Sequence, residues 1–306
     1  ARLRPGHSYH FVHRADLIAM LAAAVRAAGV QIRLLQQIET VDLSGPRPRL
    51  VTAQGAEIET DLLVGADGLK SKTRAVLNGA AQPFFTHQVA WRALVPEIPG
   101  ADPVAEVHMG PGRHLVSYPL RGGTLRNIVA VEERRRWVEE GWSLRDDPME
   151  LRLAFEAFSP RVRGWLDLVQ DVWLWGLFRH SVAGVWQRAL PEGAVAVLGD
   201  AAHPTLPFLA QGANMAIEDA ALMARCLALD EPTEHALARF EKLRWQRTAD
   251  IVNSGTITVT GPGQKAAARR CAAGGRVSAN TAACARLATC TISGWSAGRP
   301  LARKMP

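Results

Sequence analysis

The run Gly199-Asp200-Ala201-Ala202-His203-Pro204, continuing through Pro207 to Gln211-Gly212-Ala213-Asn214, carries the residues best suited to hold a ligand. An acidic side chain follows Ala194 to Leu198, an apolar run of the kind that forms a buried strand. In open α/β sheets ligands bind at the carboxyl ends of strands, and a carboxylate there suits a sugar-like hydroxyl. Gly199 and Gly212 allow close backbone approach, and two prolines stiffen the loop between them. From Ala213 onward, Ala216, Ile217, Ala220, Ala221 and Ala224 recur at helical spacing. The start of such a helix aims free amides and a partial positive charge at whatever lies above it, and a planar anionic ring is one suitable guest. A generic Gly-Asp would serve equally well in an ordinary strand, loop and capped helix.

Other elements must position this run. Asp61 to Ala66 reads as a strand that turns at Asp67-Gly68 toward Ser71 and Arg74. Asp16 to Ala28 reads as an amphipathic helix with Leu17, Leu21 and Val25 on one face, closed by Gly29. Val30 to Leu35 reads as a strand of the same layered unit. From Phe84 to about Phe178 the character changes. Val89 to Val95, His114 to Leu120 and Leu125 to Val131 read as strands of an antiparallel sheet. Leu151 to Phe158 reads as a short helix beside it. From about Val195 the chain returns to the first unit. Spacing alone gives an α/β chain with an inserted β-rich segment.

The stretch GDAAHPTLPFLAQGANMAIEDAALMA resembles the C-terminal flavin motif of FAD-dependent aromatic-ring hydroxylases of the salicylate hydroxylase type. DLLVGADGLKSKTR (residues 61–74) is similar to that family's middle motif, VHRADL to its flavin-contacting arginine segment, and VAWRALVP also has the family's look. The resemblance spans roughly residues 7 to 250. It implies an incomplete Rossmann-like FAD-binding domain with an inserted antiparallel substrate domain. The expected division is 1–82 and 181–250 for the flavin domain, 83–180 for the substrate domain, and 251–306 for an aberrant or disordered basic tail.

It also implies FAD as cofactor, NADH or NADPH as co-substrate, molecular oxygen, and a small aromatic substrate. The implied cofactor contacts are Arg14, Ile38, Asp67, Gly68, Arg74, Gly199, Asp200, Pro207, Gln211, Gly212, Ala213 and Asn214. Asp200 matches the aspartate on the flavin ribityl chain. Ile38 falls near the adenosine part, and Asp67 and Gly68 match residues associated with both flavin and pyridine nucleotide. Hydroxylation of a phenolic ring gains from a general base. His114 and Tyr118, four apart on one strand, share a face, and Arg92 on a neighbouring strand could hold a substrate carboxylate. These three are the catalytic candidates, and each also suits a purely structural place. His203 and the Trp91, Trp173 and Trp175 side chains read as loop-shaping and core residues.

The departures are informative. Such proteins begin with a strand, a G-x-G-x-x-G turn and a helix that cradle the pyrophosphate. That unit is not seen before Ala1, so the chain reads as an N-terminally truncated fragment, expected to lack activity by itself. Gly261 to Ala266, after the alternating Thr256 to Thr260, fits G-x-G-x-x-A loosely, but no acidic residue follows it. The chain has 36 Lys and Arg against 29 Asp and Glu, a net charge of +7. Eight of those basic residues and none of the acidic ones lie after Asp250, so the preceding part is near neutrality. The tail has no aromatic interleaving or periodicity, so neither a packed core nor a nucleic-acid partner is expected of it. In another reading frame, 289–295 would resemble the aromatic ending of family members, so the tail is expected to be an out-of-frame translation. A natural basic tail and an ordered extension stay open, as do a non-catalytic remnant and a basic-tailed binding module. Cys271, Cys284 and Cys290 lack paired C-x-x-C spacing, so no metal site is expected. The apolar runs are too short to span a bilayer, and the expected location is the cytoplasm.

Overall fold

A computed structural model describes residues 10–97, 101–134, 140 and 143–260, with side chains through 254. The chain opens with α1 (Arg14–Ala27), closed at Gly29 with φ +76. None of its residues is buried, so its apolar face lies open. Val30 to Leu35, expected as a strand, is irregular. Its apolar side chains are exposed, and among the described residues it has no neighbouring strand to take its backbone hydrogen bonds.

An antiparallel meander follows: β1 (Ile38–Asp42), β2 (Arg49–Thr52) and β3 (Glu57–Glu59). β4 (Leu62–Gly65) then leads into α2 (Lys72–Asn78).

The central part is a six-stranded antiparallel sheet. Its members are β5 (Phe84–Pro96), β6 (Glu106–Gly110), β7 (Arg113–Leu120), β8 (Leu125–Glu133), β9 (Arg145–Asp146) and β10 (Val172–Arg179), in the order β6-β7-β8-β5-β10-β9. Between β9 and β10 lie α3 (Pro148–Ala154) and α4 (Pro160–Asp167). The helix expected to reach Phe158 ends earlier, because Ser159 caps the next one through the Val162 amide. Strand alternation sends Val89, Trp91, Ala93, Leu115, Ile128 and Ala130 to one face, where Leu151, Phe155 and Leu166 complete a core. The opposite face carries Ala90, Val131, Trp175 and Leu177 beneath Leu206.

The chain then returns through β11 (Gln187–Leu190) to β12 (Gly193–Val197), which pairs in parallel with β4. α5 (Gly212–Leu227) and α6 (Thr233–Thr260) follow. Trp186, Val195, Val197, Leu237 and Phe240 belong to the core of this part. The buried stripe of α5 is Met215, Asp219, Met223 and Cys226, whereas the expected stripe faces outward, with Ile217 exposed. An acid occupies the middle of the buried stripe because α6 supplies its partner. Thr256 to Thr260, expected to alternate like a strand, is the end of α6. Gly261 to Ala266 and the rest of the tail lie outside the described residues.

Candidate functional site

β12 ends in a turn held by a buried ionic cluster. Gly199 has φ +58, and a Cβ there would lie 3.3 Å from the Cβ of Ala216. Its amide donates to Asp219 Oδ2 at 3.0 Å. His203 Nε2 meets the same oxygen at 2.5 Å, and Arg244 Nε donates to Asp219 Oδ1 at 2.6 Å. Arg244 also donates to Glu218 at 2.7 Å. Burial works to raise the Asp219 carboxyl, but bonds from His203 and Gly199 and the charge of Arg244 outweigh it, so the group sits below the ordinary carboxylate range. His203 is thus a loop-shaping residue in this structure, fully buried with its ring against Trp186.

By contrast, the neighbouring Asp200 is exposed and makes no hydrogen bond among the described residues. The loop beyond it carries Pro207 at the start of a short turn, then Gln211 and the amides of Gly212, Ala213 and Asn214 in the first turn of α5. Those first-turn N–H groups have no partner within the helix. Gly212 suits this close approach, since a Cβ would stand 3.3 Å from the Thr205 methyl. A free carboxylate beside bare helix amides fits a ligand that has both a hydroxyl chain and an electron-rich planar ring.

Parallel pairing of β4 with β12, Gly65 opposite Val197, brings Asp67 to the same sheet end as Asp200. Asp67 is already engaged, however. It accepts from Ser71 Oγ at 2.5 Å and from the Lys72 and Thr73 amides at 2.9 and 3.1 Å, capping α2. Gly68 has φ +72 with open space around it, so what the turn asks of it is conformational. Arg74 is buried, donates to the Ser181 carbonyl at 2.6 Å, and leaves Nε unpartnered. Burial lowers its pKa.

Arg14 is exposed at the first residue of α1, and Ile38 is half-buried at the start of β1. No hydrogen bond among the described residues ties either to the Gly199 turn. The N-terminal end of α1 instead meets the large sheet. Asp16 takes a two-pronged bond from Arg121 at 2.7 and 2.8 Å, and Phe11 stacks on Tyr118 at 5.0 Å.

The three catalytic candidates share one sheet face. His114 lies opposite Val131, Arg92 opposite Val129, and Tyr118 opposite Asn127. Burial pushes the His114 imidazole down to about 4, so it is neutral near pH 7. Burial raises the Tyr118 phenol, and the Arg92 charge partly offsets this. The Arg92 guanidinium sits 5.3 Å from the centre of the Trp175 ring. Phe208 of the Gly199–Gly212 loop reaches to 5.8 Å from the His114 ring, so that loop and this face meet. Trp91 is on the opposite face, in the core. The sequence reading missed Asp219, Arg244, Phe208, Gln88 and Asn127. The Glu218-Asp219 pair inside an apolar helix was the one visible signal among them; the others depend on register. Among the described residues no group of three potential metal ligands occurs, and no helix is long and apolar enough to cross a membrane.

Residues 2–253 match a family described as the FAD binding domain. The chain is 34% identical over 256 residues to 3-amino-4-hydroxybenzoate 2-monooxygenase of Streptomyces cremeus, covering 80% of this chain and 61% of that protein. It is 33% identical to 3-hydroxybenzoate 6-hydroxylase of Klebsiella oxytoca, over 81% of this chain and 62% of that one. The chain therefore spans about three fifths of the length of these relatives. Among solved structures it resembles a salicylate hydroxylase substrate complex, with a TM-score of 0.67 and 23% identity over 90% of this chain and 70% of the other. It resembles CtdE in complex with FAD at a TM-score of 0.69 and 24% identity, over 81% of this chain and 70% of the other.

Proposed function

The chain belongs to the FAD binding domain family, and from that premise we propose that it is part of an FAD-dependent monooxygenase that hydroxylates a small aromatic ring with NADH or NADPH and oxygen. The observation that carries the reading is the loop from Gly199 to Gly212. It offers a free Asp200 carboxylate and bare helix amides on one side, and it meets the His114 face through Phe208 on the other. Residues 1–82 and 181–250 form the flavin-binding part in this reading, and 83–180 the substrate part. Arg14, Ile38, Asp67, Gly68, Arg74, Gly199, Asp200, Pro207 and Gln211 to Asn214 remain the proposed cofactor contacts, with Asp67 acting through the helix it caps. Names of relatives acting on hydroxylated benzoates support a ring with oxygen substituents. The proposed location is the cytoplasm, where reduced nicotinamides are plentiful.

The bound flavin would supply the redox chemistry with oxygen. The protein's part is to hold and orient the ring, exclude water and move a proton. Neutral His114 can accept a hydrogen bond from a phenolic hydroxyl, which orients that group and makes the ring more electron-rich. Arg92, poorly solvated over Trp175, favours an anionic substituent. Val116 and Val129, half-buried and paired across β7 and β8 beside His114, Tyr118 and Arg92, give the ring an apolar floor.

The open apolar face of α1 supports the further reading that these residues alone do not oxidise NADH or NADPH. The test joins the chain to the strand, glycine loop and helix of a relative and titrates FAD by fluorescence quenching. Asp200→Ala is expected to weaken FAD binding by about 1.5–3 kcal/mol, the worth of a charge-assisted hydrogen bond, with its melting temperature unchanged because the side chain is exposed. Equal FAD affinity in parent and variant would defeat the assignment.

A further inference from the structure

The face that carries His114 and Tyr118 holds an unmet amide that the proposed chemistry leaves unused. Asn127 is 5% exposed, and its Nδ2 is buried without a hydrogen-bond partner among the described residues. In register it lies between Tyr118 and Leu94, one step along the face from Val129, which lies between Val116 and Arg92. Gln88 Oε1 and Arg92 Nε on the same face are unmet as well. On the other face of these strands the neighbouring polar groups meet within the chain. Ser117 and Arg126, the sequence neighbours of Tyr118 and Asn127, bond each other at 2.9 Å, and Arg126 also bonds Glu97. An unmet buried amide destabilises a fold. Its place beside a floor of small apolar side chains calls for a partner from outside the chain.

We propose that Asn127 anchors the aromatic ligand: its amide donates to an oxygen acceptor, phenolate or carboxylate, on the end of the ring remote from His114. The inference rests on the reading of this face as the substrate site and names a residue that reading did not include. His114 and Tyr118 are four strand residues apart, about 13 Å between Cα atoms. That spacing matches the length of a single substituted ring lying on the half-buried Val116 and Val129. A ring with polar groups at opposite ends satisfies both ends of the face. A ring with none at the far end leaves the Asn127 donor unmet.

Saturation-transfer NMR titrations of the full chain with 4-hydroxybenzoate, benzoate and phenol, together with thermal melts, test this without flavin or turnover. Asn127→Leu replaces the unmet amide with an apolar side chain of similar size. It is expected to raise the melting temperature by about 2–4 °C while weakening 4-hydroxybenzoate binding about tenfold or more. A residue that served only the fold would move the melting temperature the other way. Asn127→Asp sets a charged acceptor where the donor stood and is expected to weaken the two carboxylates more than phenol. A lower melting temperature in Asn127→Leu, unchanged ligand affinity in that variant, or no saturable binding of any of the three to the parent chain would each overturn the proposal. Failure of the Asp200 test with the Asn127 pattern intact would remove the flavin assignment and leave this binding site standing.

Discussion

At His114, burial sets the protonation state. Its pKa of about 4 lies below the ordinary histidine value of 6.5. Between those two values the unfolded chain binds the proton more tightly, so stability rises with pH across that window. The contribution of the neutral ring is complete above pH 6.5 and is lost as pH falls toward 4; the shift corresponds to about 3 kcal/mol. Denaturation midpoints of the chain measured from pH 7 to pH 4 are expected to fall, and those of His114→Leu to fall less. Equal slopes would show that His114 is not buried as described. Gly199 makes a second prediction at this scale. Its positive φ and its 3.3 Å approach to Ala216 mean that Gly199→Ala is expected to destabilise the chain by about 1–3 kcal/mol in urea unfolding.

Among the elements, the junction of α5 and α6 decides how the Gly199 turn is held. Asp219 in the buried stripe of α5 meets Arg244 of α6, and its second oxygen collects the Gly199 amide and His203. The helix pair and the turn are therefore one unit. Asp219→Ala would leave Arg244 buried with only Glu218 as its charge partner, and would remove the acceptor for Gly199. A loss of about 3–5 kcal/mol is expected from thermal or urea unfolding, as for other buried pairs with one partner removed. A loss below about 1 kcal/mol would mean that water replaces the carboxylate. α2 follows similar logic. The Asp67 carboxylate is spent on its first turn, so the motif that attracts attention in the sequence acts first on backbone geometry.

At the scale of the molecule, the chain leaves the small sheet after α2, builds the large antiparallel sheet, and returns so that β12 lies against β4. That return sets the Asp67 turn beside the Gly199 turn and presses Phe208 onto the His114 face. The described surface is not closed everywhere. Ile18, Met20 and Leu21 of α1 are about half exposed, and Ile18 and Leu21 lie on one face of the helix. The chain is expected to bind the dye ANS at neutral pH, and Ile18→Glu combined with Leu21→Glu to remove much of that fluorescence with little change in melting temperature. An unchanged ANS signal would place the open apolar surface elsewhere.

The family, the fold class and the strand, turn and helix around Gly199 were legible in the sequence, because they rest on local signals: an apolar run, a Gly-Asp turn, prolines and a helix start within some thirty residues. Strand alternation also placed His114 and Tyr118 on one face without a structure. The helical period of α5 was legible but its buried face was not, since hydrophobicity ranks Asp219 as an outward residue and only Arg244, far along the chain, makes it an inward one. Val30 to Leu35 failed for a related reason, as an apolar run becomes a strand only where a neighbour takes its hydrogen bonds. Asn127 and Phe208 carried no mark at all. What they face depends on the register of β7, β8 and β5 and on where the returning loop lands, and those are set by pairings between distant segments that the tertiary structure alone decides.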